Sequence, residues 1–437
     1  MRRLTFLLAA ILLLTACAVQ PEPAAVTQPP VITAPVTQPT QPTQQTEPPA
    51  TTEPAPETQP TEAPIPRQEA QPVMGLSVLQ GGQDVTGLLT DANVYSKTQI
   101  TAEQSLTVES TQVFSSLYLI WDAIPGSYTL EWDGGSIRCG ENGFLHEYVT
   151  LPEVADHVQI TFAEENTRTL CDISAYTEGY APADVQIWQP PCEEADILVF
   201  PTHSDDDAIF FGALLSYYAV ERRLTVQTAF MVDHVWQPHR AHERLNGLWA
   251  MGIRHYPILG SAPDTATFDF QEAMSLYYSS DILGWQVEQI RRFKPLVVVG
   301  HDLNGEYGNA GHKVNAHYLT QAITAAADPE QYPKSAHDYG VWQAPKLYLH
   351  LYRENEIYLE VNTPMENDPL GRTPFEAAQD GFAAHVSQQR WAQVQQNDAN
   401  RAYDCRPFGL YFTLVGTDTT ADIMEHVDRE AWLNRDK

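Results

Sequence analysis

A short apolar run, Ile197-Leu-Val-Phe-Pro-Thr202, ends in His203-Ser-Asp-Asp-Asp207, and a helical pattern follows at once from Ala208 to Tyr218. In an open α/β sheet, ligands gather outside the carboxyl ends of the strands. A His-x-x-Asp pair at such a place offers one imidazole nitrogen and one carboxylate oxygen, a donor set that suits Zn²⁺. His203 and Asp206 fit that role, and one aspartate is left over beside the metal position. A second segment of the same kind lies further on, Pro295-Leu-Val-Val-Val-Gly-His301 followed by Asp302-Leu-Asn-Gly-Glu-Tyr-Gly-Asn-Ala-Gly-His312. It too runs strand, polar loop, histidine opening a helix. Two strand ends that each deliver metal-type donors point to hydrolytic chemistry. Alone, an aspartate run opening a helix serves equally well as a cap, because carboxylates favour a helix N-terminus.

The elements that must position these residues follow from rhythm. Strands at 196–200, 224–232, 256–259 and 296–300 alternate with helical patterns at 207–222, 239–252, 271–293 and 312–327. Strand–helix–strand at this pitch implies a Rossmann-like, mostly parallel sheet with flanking helices and right-handed crossovers. Strands at 346–352 and 356–361 follow, with helices near 374–396 and 420–434. No Gly-x-Gly-x-x-Gly follows the first strand, which argues against a dinucleotide site.

Residues 73–190 read as all β, with runs at 114–121, 127–132, 144–151, 157–162 and 185–188 separated by turn clusters such as Asp133-Gly-Gly135. That spacing predicts a β-sandwich, with Trp121 and Trp132 either core or sugar-stacking platforms. Four cysteines lie beyond Cys17 (Cys139, Cys171, Cys192 and Cys405). They allow three pairings, of which Cys139–Cys171 with Cys192–Cys405 is the most economical; buried free thiols are the alternative.

The chain begins Met-Arg-Arg, then runs apolar from Leu4 to Leu14 and reaches Thr15-Ala-Cys17. A basic start, a short apolar stretch and small residues make a secretory signal. Residues 18–72 are almost entirely Pro, Thr, Gln, Glu and Ala, a composition that cannot build a core and reads as a linker. At ~3.1 Å per residue in polyproline II, such a linker reaches on the order of 170 Å. A net charge of −31 over 437 residues argues against nucleic acid and other polyanions as partners.

Several of these stretches resemble known patterns. Leu14-Thr-Ala-Cys17 resembles a bacterial lipobox, which implies lipidation of Cys17 and an extracytoplasmic protein held to the membrane by that lipid. Gly87-Leu-Leu-Thr-Asp-Ala-Asn93 and Cys171-Asp-Ile-Ser-Ala-Tyr-Thr177 loosely resemble a galactose-binding-like jelly roll. His203-Ser-Asp-Asp-Asp207 is similar to the His-Pro-Asp-Asp-Glu signature of the PIG-L/LmbE-like zinc N-deacetylases, the family that includes GlcNAc-PI de-N-acetylase. Gly305 to His312 resembles that family's second motif. Arg240-Ala-His-Glu243 with Ala250-Met-Gly252, and His385-Val-Ser-Gln388, resemble two further motifs in the right order. The likeness spans roughly 194–410 and places a deacetylase domain at 191–437.

Carried over residue by residue, the resemblance implies zinc ligands His203, Asp206 and His312, with Asp205 as general base. It implies Arg240, His301 and His385 on the substrate side, and an N-acetylated sugar or glycoconjugate as substrate. Ser204 stands where the family has proline, and Asp207 where it has glutamate. Asn309-Ala-Gly311 stands where many members have His-Pro-Asp; Asn309 donates a hydrogen bond but cannot release a proton. A carbohydrate-binding protein without turnover, or a zinc hydrolase of other amides, are the competing expectations.

Overall fold

The structure is a computed structural model that describes residues 68–101, 103–163, 166–234 and 236–435. The leader, Cys17 and the Pro/Thr/Gln-rich segment up to residue 67 lie outside the described residues. Residues just ahead of 73 are already paired: the Ala70 N–H bonds the Tyr180 carbonyl at 2.9 Å and Pro72 bridges Tyr176. Among the described residues no helix is long and apolar enough to cross a membrane.

The aromatic and β-branched runs of the first part form eight antiparallel strands. They are β1 (Ser77–Gln80), β2 (Gln83–Asp84), β3 (Thr98–Ile100), β4 (Leu106–Trp121), β5 (Tyr128–Trp132), β6 (Gly135–Cys139), β7 (His146–Thr161) and β8 (Arg168–Tyr176), with a helical turn α1 (Thr86–Leu89) after β2. They make one hydrogen-bonded sheet, not two separate ones. The 16-residue strands β4 and β7 pass through both halves, and their pairing slips between Glu109 and Ser116. One half pairs β1 with the start of β4; the other pairs β8 with its end. Register slips of this kind bend the strand, and the two halves share a core in which Trp121 of β4 meets Tyr128 of β5 at 5.2 Å. The runs expected at 144–151 and 157–162 are therefore one strand. The run at 185–188 is not a strand: Val185 and Trp188 are buried, and Trp188 packs edge-on against Trp249 and Tyr256. All four described cysteines are buried and free, so neither expected disulfide forms.

From β9 (Ile197–Val199) the sheet is mixed. Its other strands are β10 (Val226–Val232), β11 (Ile258–Ala262), β12 (Val297–Gly300), β13 (Lys346–His350), β14 (Glu356–Tyr358) and β15 (Pro407–Thr413), in the order β11-β10-β9-β12-β13-β15-β14. The first five of that order are parallel; β15 and β14 pair antiparallel. The helices are α2 (Asp206–Ile209), α3 (Gly212–Ser216), α4 (Pro238–Ala250), α5 (Phe270–Leu276), α6 (Ile282–Phe293), α7 (Ala310–Ala325), α8 (Pro333–Tyr339), α9 (Pro374–Ala383) and α10 (Arg429–Asn434).

Side chains alternate faces along a strand. Ile197, Val199, Val297 and Val299 accordingly join one cluster with Phe210, Phe211 and Leu214, while Leu198, Phe200 and Val298 join another with Ile290, Leu319 and Ile323. Both faces of the sheet are thus covered, as parallel strands require. The first cluster also contains the core of the β portion, and α4 carries the junction between the two parts. Strand order reverses between β9 and β12, so their carboxyl ends flank the crevice in which α/β folds bind ligands.

Candidate active site

β9 delivers His203 and β12 delivers His301, one on each side of the strand reversal, and α7 brings in His312. Asp206 opens α2. Neither Asp205, at its N-cap, nor any other side chain caps that helix, which decides against the capping role for the aspartate run. Instead both carboxylate oxygens of Asp206 are aimed at imidazoles: Oδ2 lies 3.2 Å from His203 Nδ1 and Oδ1 lies 3.2 Å from His312 Nε2. The two imidazole nitrogens are themselves 3.3 Å apart. Zinc bound by N and O donors at about 2.0–2.1 Å in a tetrahedral arrangement spaces those donors roughly 3.3 Å apart. The donor chemistry and the spacing therefore fit a divalent ion held by His203, Asp206 and His312, all three of which are buried.

The charges agree. Burial alone would lower the His312 imidazole, but Asp206 and Glu306 outweigh it and push it up to about 10. Burial would likewise raise Asp206, yet His312 and His203 hold it well below the usual carboxylate range. A cation is called for between these groups, and a metal ion would supply it in place of a proton.

Asp205 is outside this triangle. Its Oδ1 meets Arg240 of α4 at 3.0 Å, and Arg240 also reaches the Ser204 carbonyl at 3.2 Å. Burial and the Asp206 charge raise its carboxyl to about 6, with Arg240 opposing. Such a carboxylate is suited to accept a proton near neutral pH. Arg244, one turn on along α4, bonds the Ser204 hydroxyl at 2.8 Å. Serine at the position where the family has proline thus gives the loop a second tether to α4.

Other expected residues sit differently. His301 is fully buried; its Nε2 accepts the Thr202 N–H at 3.0 Å and its Nδ1 donates to Glu306 at 2.8 Å. With both nitrogens engaged it braces the two strand ends. His385 is also fully buried, 3.8 Å from Asp207, under α4 and α9. Burial, with the Asp205 charge, pushes the Asp207 carboxyl well above its usual range, and this third aspartate lies in the interior. Asn309 caps α7: its Oδ1 accepts the Gly311 and His312 N–H groups at 2.8 and 3.2 Å, and its Nδ2 points to the Tyr307 hydroxyl at 3.3 Å.

The residue that sequence reasoning did not single out is Glu306. It is fully buried, with Oε2 at 2.8 Å from His301 Nδ1 and 2.7 Å from His312 Nδ1, and Oε1 at 2.8 Å from His350 Nδ1 of β13. Oε1 also takes the Asp302 N–H at 3.1 Å. Burial alone would raise this carboxyl; the histidines, His301 first, hold it well below the usual range instead. By accepting the Nδ1 proton of His312 it leaves Nε2 free to face the metal position, the support that metal-bound histidines usually receive. Asp264, just after β11, was also missed. Its Oδ2 lies 3.3 Å from His234 Nδ1 and its Oδ1 3.9 Å from His203 Nε2, and it is partly exposed at the crevice. His234 in turn accepts the Ser204 N–H at 3.1 Å and so supports the loop that carries His203.

The Glu306 turn depends on Gly305, which sits at φ 68°. A Cβ there would lie 2.2 Å from the Asn309 carbonyl oxygen. Gly305→Ala is expected to cost about 1–3 kcal/mol of stability through backbone strain alone, with more from the clash. Chemical denaturation beside the parent checks this; an unchanged midpoint would show that the turn relaxes freely.

No family model matches the sequence. Among curated proteins it is similar to the 1D-myo-inositol 2-acetamido-2-deoxy-alpha-D-glucopyranoside deacetylase of Thermobifida fusca, at 28% identity over 211 residues, covering 42% of this chain and 71% of that one. The chain resembles deacetylases. A relative of the same name from Catenulispora acidiphila is 27% identical over 185 residues (36% of this chain, 56% of that one), and one from Frankia alni 28% over 177 residues (33% and 59%). The chain thus spans less than two thirds of the length of those two relatives. The solved N,N'-diacetylchitobiose deacetylase of Pyrococcus horikoshii overlays 45% of this chain and 72% of its own, at 16% identity and a TM-score of 0.34, which is too loose an overlap to carry an argument.

Proposed function

We propose that this chain is a zinc-dependent hydrolase that removes acetyl groups from N-acetylated amino sugars or their conjugates. The observation that carries it is the convergence of His203 Nδ1 and His312 Nε2, 3.3 Å apart, on the Asp206 carboxylate, each 3.2 Å from one of its oxygens, with a separate carboxylate, Asp205, beside them. Similarity to curated sugar-conjugate deacetylases supports the reaction class. A zinc ion held by the three residues supplies Lewis acidity toward water and an amide carbonyl. Asp205 receives the proton that the attacking water gives up and later delivers one to the departing amine. Arg240 orients Asp205 through the 3.0 Å pair. Tyr307, partly exposed with its ring 5.6 Å from that of His312 and its hydroxyl beside Asn309, serves as a hydrogen-bond donor toward the developing oxyanion. Burial raises its phenol, so it keeps its proton for that task.

The same proposal covers the setting. Cys17 anchors the protein through lipid, the segment before residue 68 spaces it outward from a bacterial surface, and the β portion forms a carbohydrate-binding module beside a deacetylase module. The purified full chain, incubated with N-acetylglucosamine-containing oligosaccharides, is expected to release acetate with zinc and to stop when the metal is chelated. No metal-dependent acetate from a broad panel would refute the activity. The engagement of Asn309 in the α7 cap favours one second reading, a carbohydrate-binding protein without turnover. In that case glycan binding survives Asp205→Asn while the parent hydrolyses nothing.

A further inference from the structure

A second group of metal-type donors lies where the β portion meets α4. Asp122, just past the end of β4, Cys171 of β8 and His242 of α4 each offer one donor atom, and the three atoms lie within 4.8 Å of one another. Cys171 and His242 are buried, and the Asp122 side chain is only 18% exposed. His242 Nε2 is buried and makes no hydrogen bond among the described residues, although a carboxylate and a thiol stand near it. A buried imidazole nitrogen without a partner is costly, and here it faces a space bounded by two potential anions.

The opposite edge of the same ring is held. His242 Nδ1 is 2.9 Å from His146 Nε2, and His146 Nδ1 is 2.8 Å from the Tyr118 hydroxyl. With each Nδ1 as the donor in this chain, the His242 Nε2 lone pair is presented to Asp122 and Cys171. That is the arrangement by which proteins fix the tautomer of a metal-bound histidine. A neutral imidazole is the form that binds metal.

We propose that Asp122, Cys171 and His242 form a structural zinc site that clamps the β portion to α4. A thiolate, an imidazole and a carboxylate make a borderline-soft donor set of the kind zinc takes. Binding forms the Sγ–Zn bond as the Cys171 thiol releases its proton to solvent. Without the ion, burial pushes that thiol up to about 12; a coordinating thiol is deprotonated outright. Lys97 bonds Asp122 Oδ1 at 2.9 Å through a side chain that is 41% exposed, so its ammonium can swing into solvent as the ion enters. α4 also carries Arg240, which touches Asp205. A clamp on this helix would therefore hold one wall of the active crevice, although the site stands independently of any reaction there.

Cobalt substitution tests the proposal directly, because the active-site triangle contains no cysteine. The purified full chain, stripped of metal and titrated with Co²⁺, is expected to show thiolate-to-cobalt charge-transfer absorption in the near ultraviolet. The band should persist in Asp206→Ala and vanish in Cys171→Ala and in His242→Gln, while His239→Ala, on the same helix, keeps it. With zinc, elemental analysis should give two ions per chain for the parent and one for Cys171→Ala. The His242→Gln variant decides the matter if Cys171→Ala does not fold, and circular dichroism reports which variants are folded. Absence of the band from the parent, or a band that survives Cys171→Ala, overturns the site and leaves the deacetylase reading untouched.

Discussion

Asp205→Ala and Asp206→Ala are expected to fail in opposite ways although the residues are adjacent. Asp206 offers an oxygen to each of two metal-facing imidazoles, at 3.2 Å in both cases, and its Oδ2 also accepts the His203 N–H at 2.6 Å. Removing it leaves two imidazoles to hold an ion alone, so zinc in the active-site triangle should be lost along with the stability the metal lends the fold. Asp205 touches Arg240 and none of the metal-facing atoms. Asp205→Ala should keep that zinc and lose about 10²–10⁴-fold in rate, the usual worth of a positioned base. Asp205→Asn separates the base from the geometry, since its amide oxygen can still meet Arg240; it should be nearly as slow as the alanine variant. Metal analysis beside steady-state rates decides. Retention of active-site zinc by Asp206→Ala together with its loss from Asp205→Ala would reverse the assignment.

The meeting of His203, Asp206 and His312 was legible in the sequence because the segments that carry them follow the ends of two strands. Two all-apolar strands followed directly by polar residues place His203 and His301 at the crevice whatever else the chain does. His203 and His312 are 109 residues apart, and they meet because β9 and β12 are neighbours in a parallel sheet. Where every residue of a segment is buried, the pattern says less. The run Phe210-Phe211-Gly-Ala-Leu-Leu-Ser-Tyr-Tyr218 has no polar face to fix a helical phase, apart from Tyr217. The single expected helix is in fact α2, α3 and a π-helical turn at Tyr217–Glu221. The last strand, β15, escaped notice because it opens on Pro407 and contains Gly409, both of which read as breakers. Proline is tolerated at the first residue of a strand, and a Cβ on Gly409 would strike the Tyr352 carbonyl oxygen at 2.2 Å. The setting of His301 was hidden for a related reason. A histidine near a site is visible in sequence; that both its nitrogens are engaged, by the Thr202 N–H and by Glu306, is a property of the packed core.

Replacing Glu306 is expected to have the second large effect, and it bears on the missing His-Pro-Asp motif. Glu306 lies six residues before His312 on a turn that includes Tyr307 at φ 47°, a backbone state that a bulky residue adopts only when its surroundings require it. The surroundings do require it: the carboxylate receives imidazoles from the end of β12, from α7 and from β13. Gly311 stands where the family pattern has an acidic residue beside the metal-binding histidine, and Glu306 provides a carboxylate to that histidine from the other side. Glu306→Ala leaves three buried histidines and the Asp302 N–H without their acceptor, a change of the class that costs about 3–5 kcal/mol. Glu306→Gln keeps the volume and one acceptor oxygen, so the fold should survive while His312 loses its anionic partner. Zinc affinity of the active-site triangle is then expected to fall about 10–100-fold, the usual cost of losing such support. Competition with a chelator measures this without reference to turnover, and saturating zinc should restore most of the activity. A Glu306→Gln protein that binds zinc as tightly as the parent would mean that His312 is held by packing alone, and that the carboxylate serves only the core.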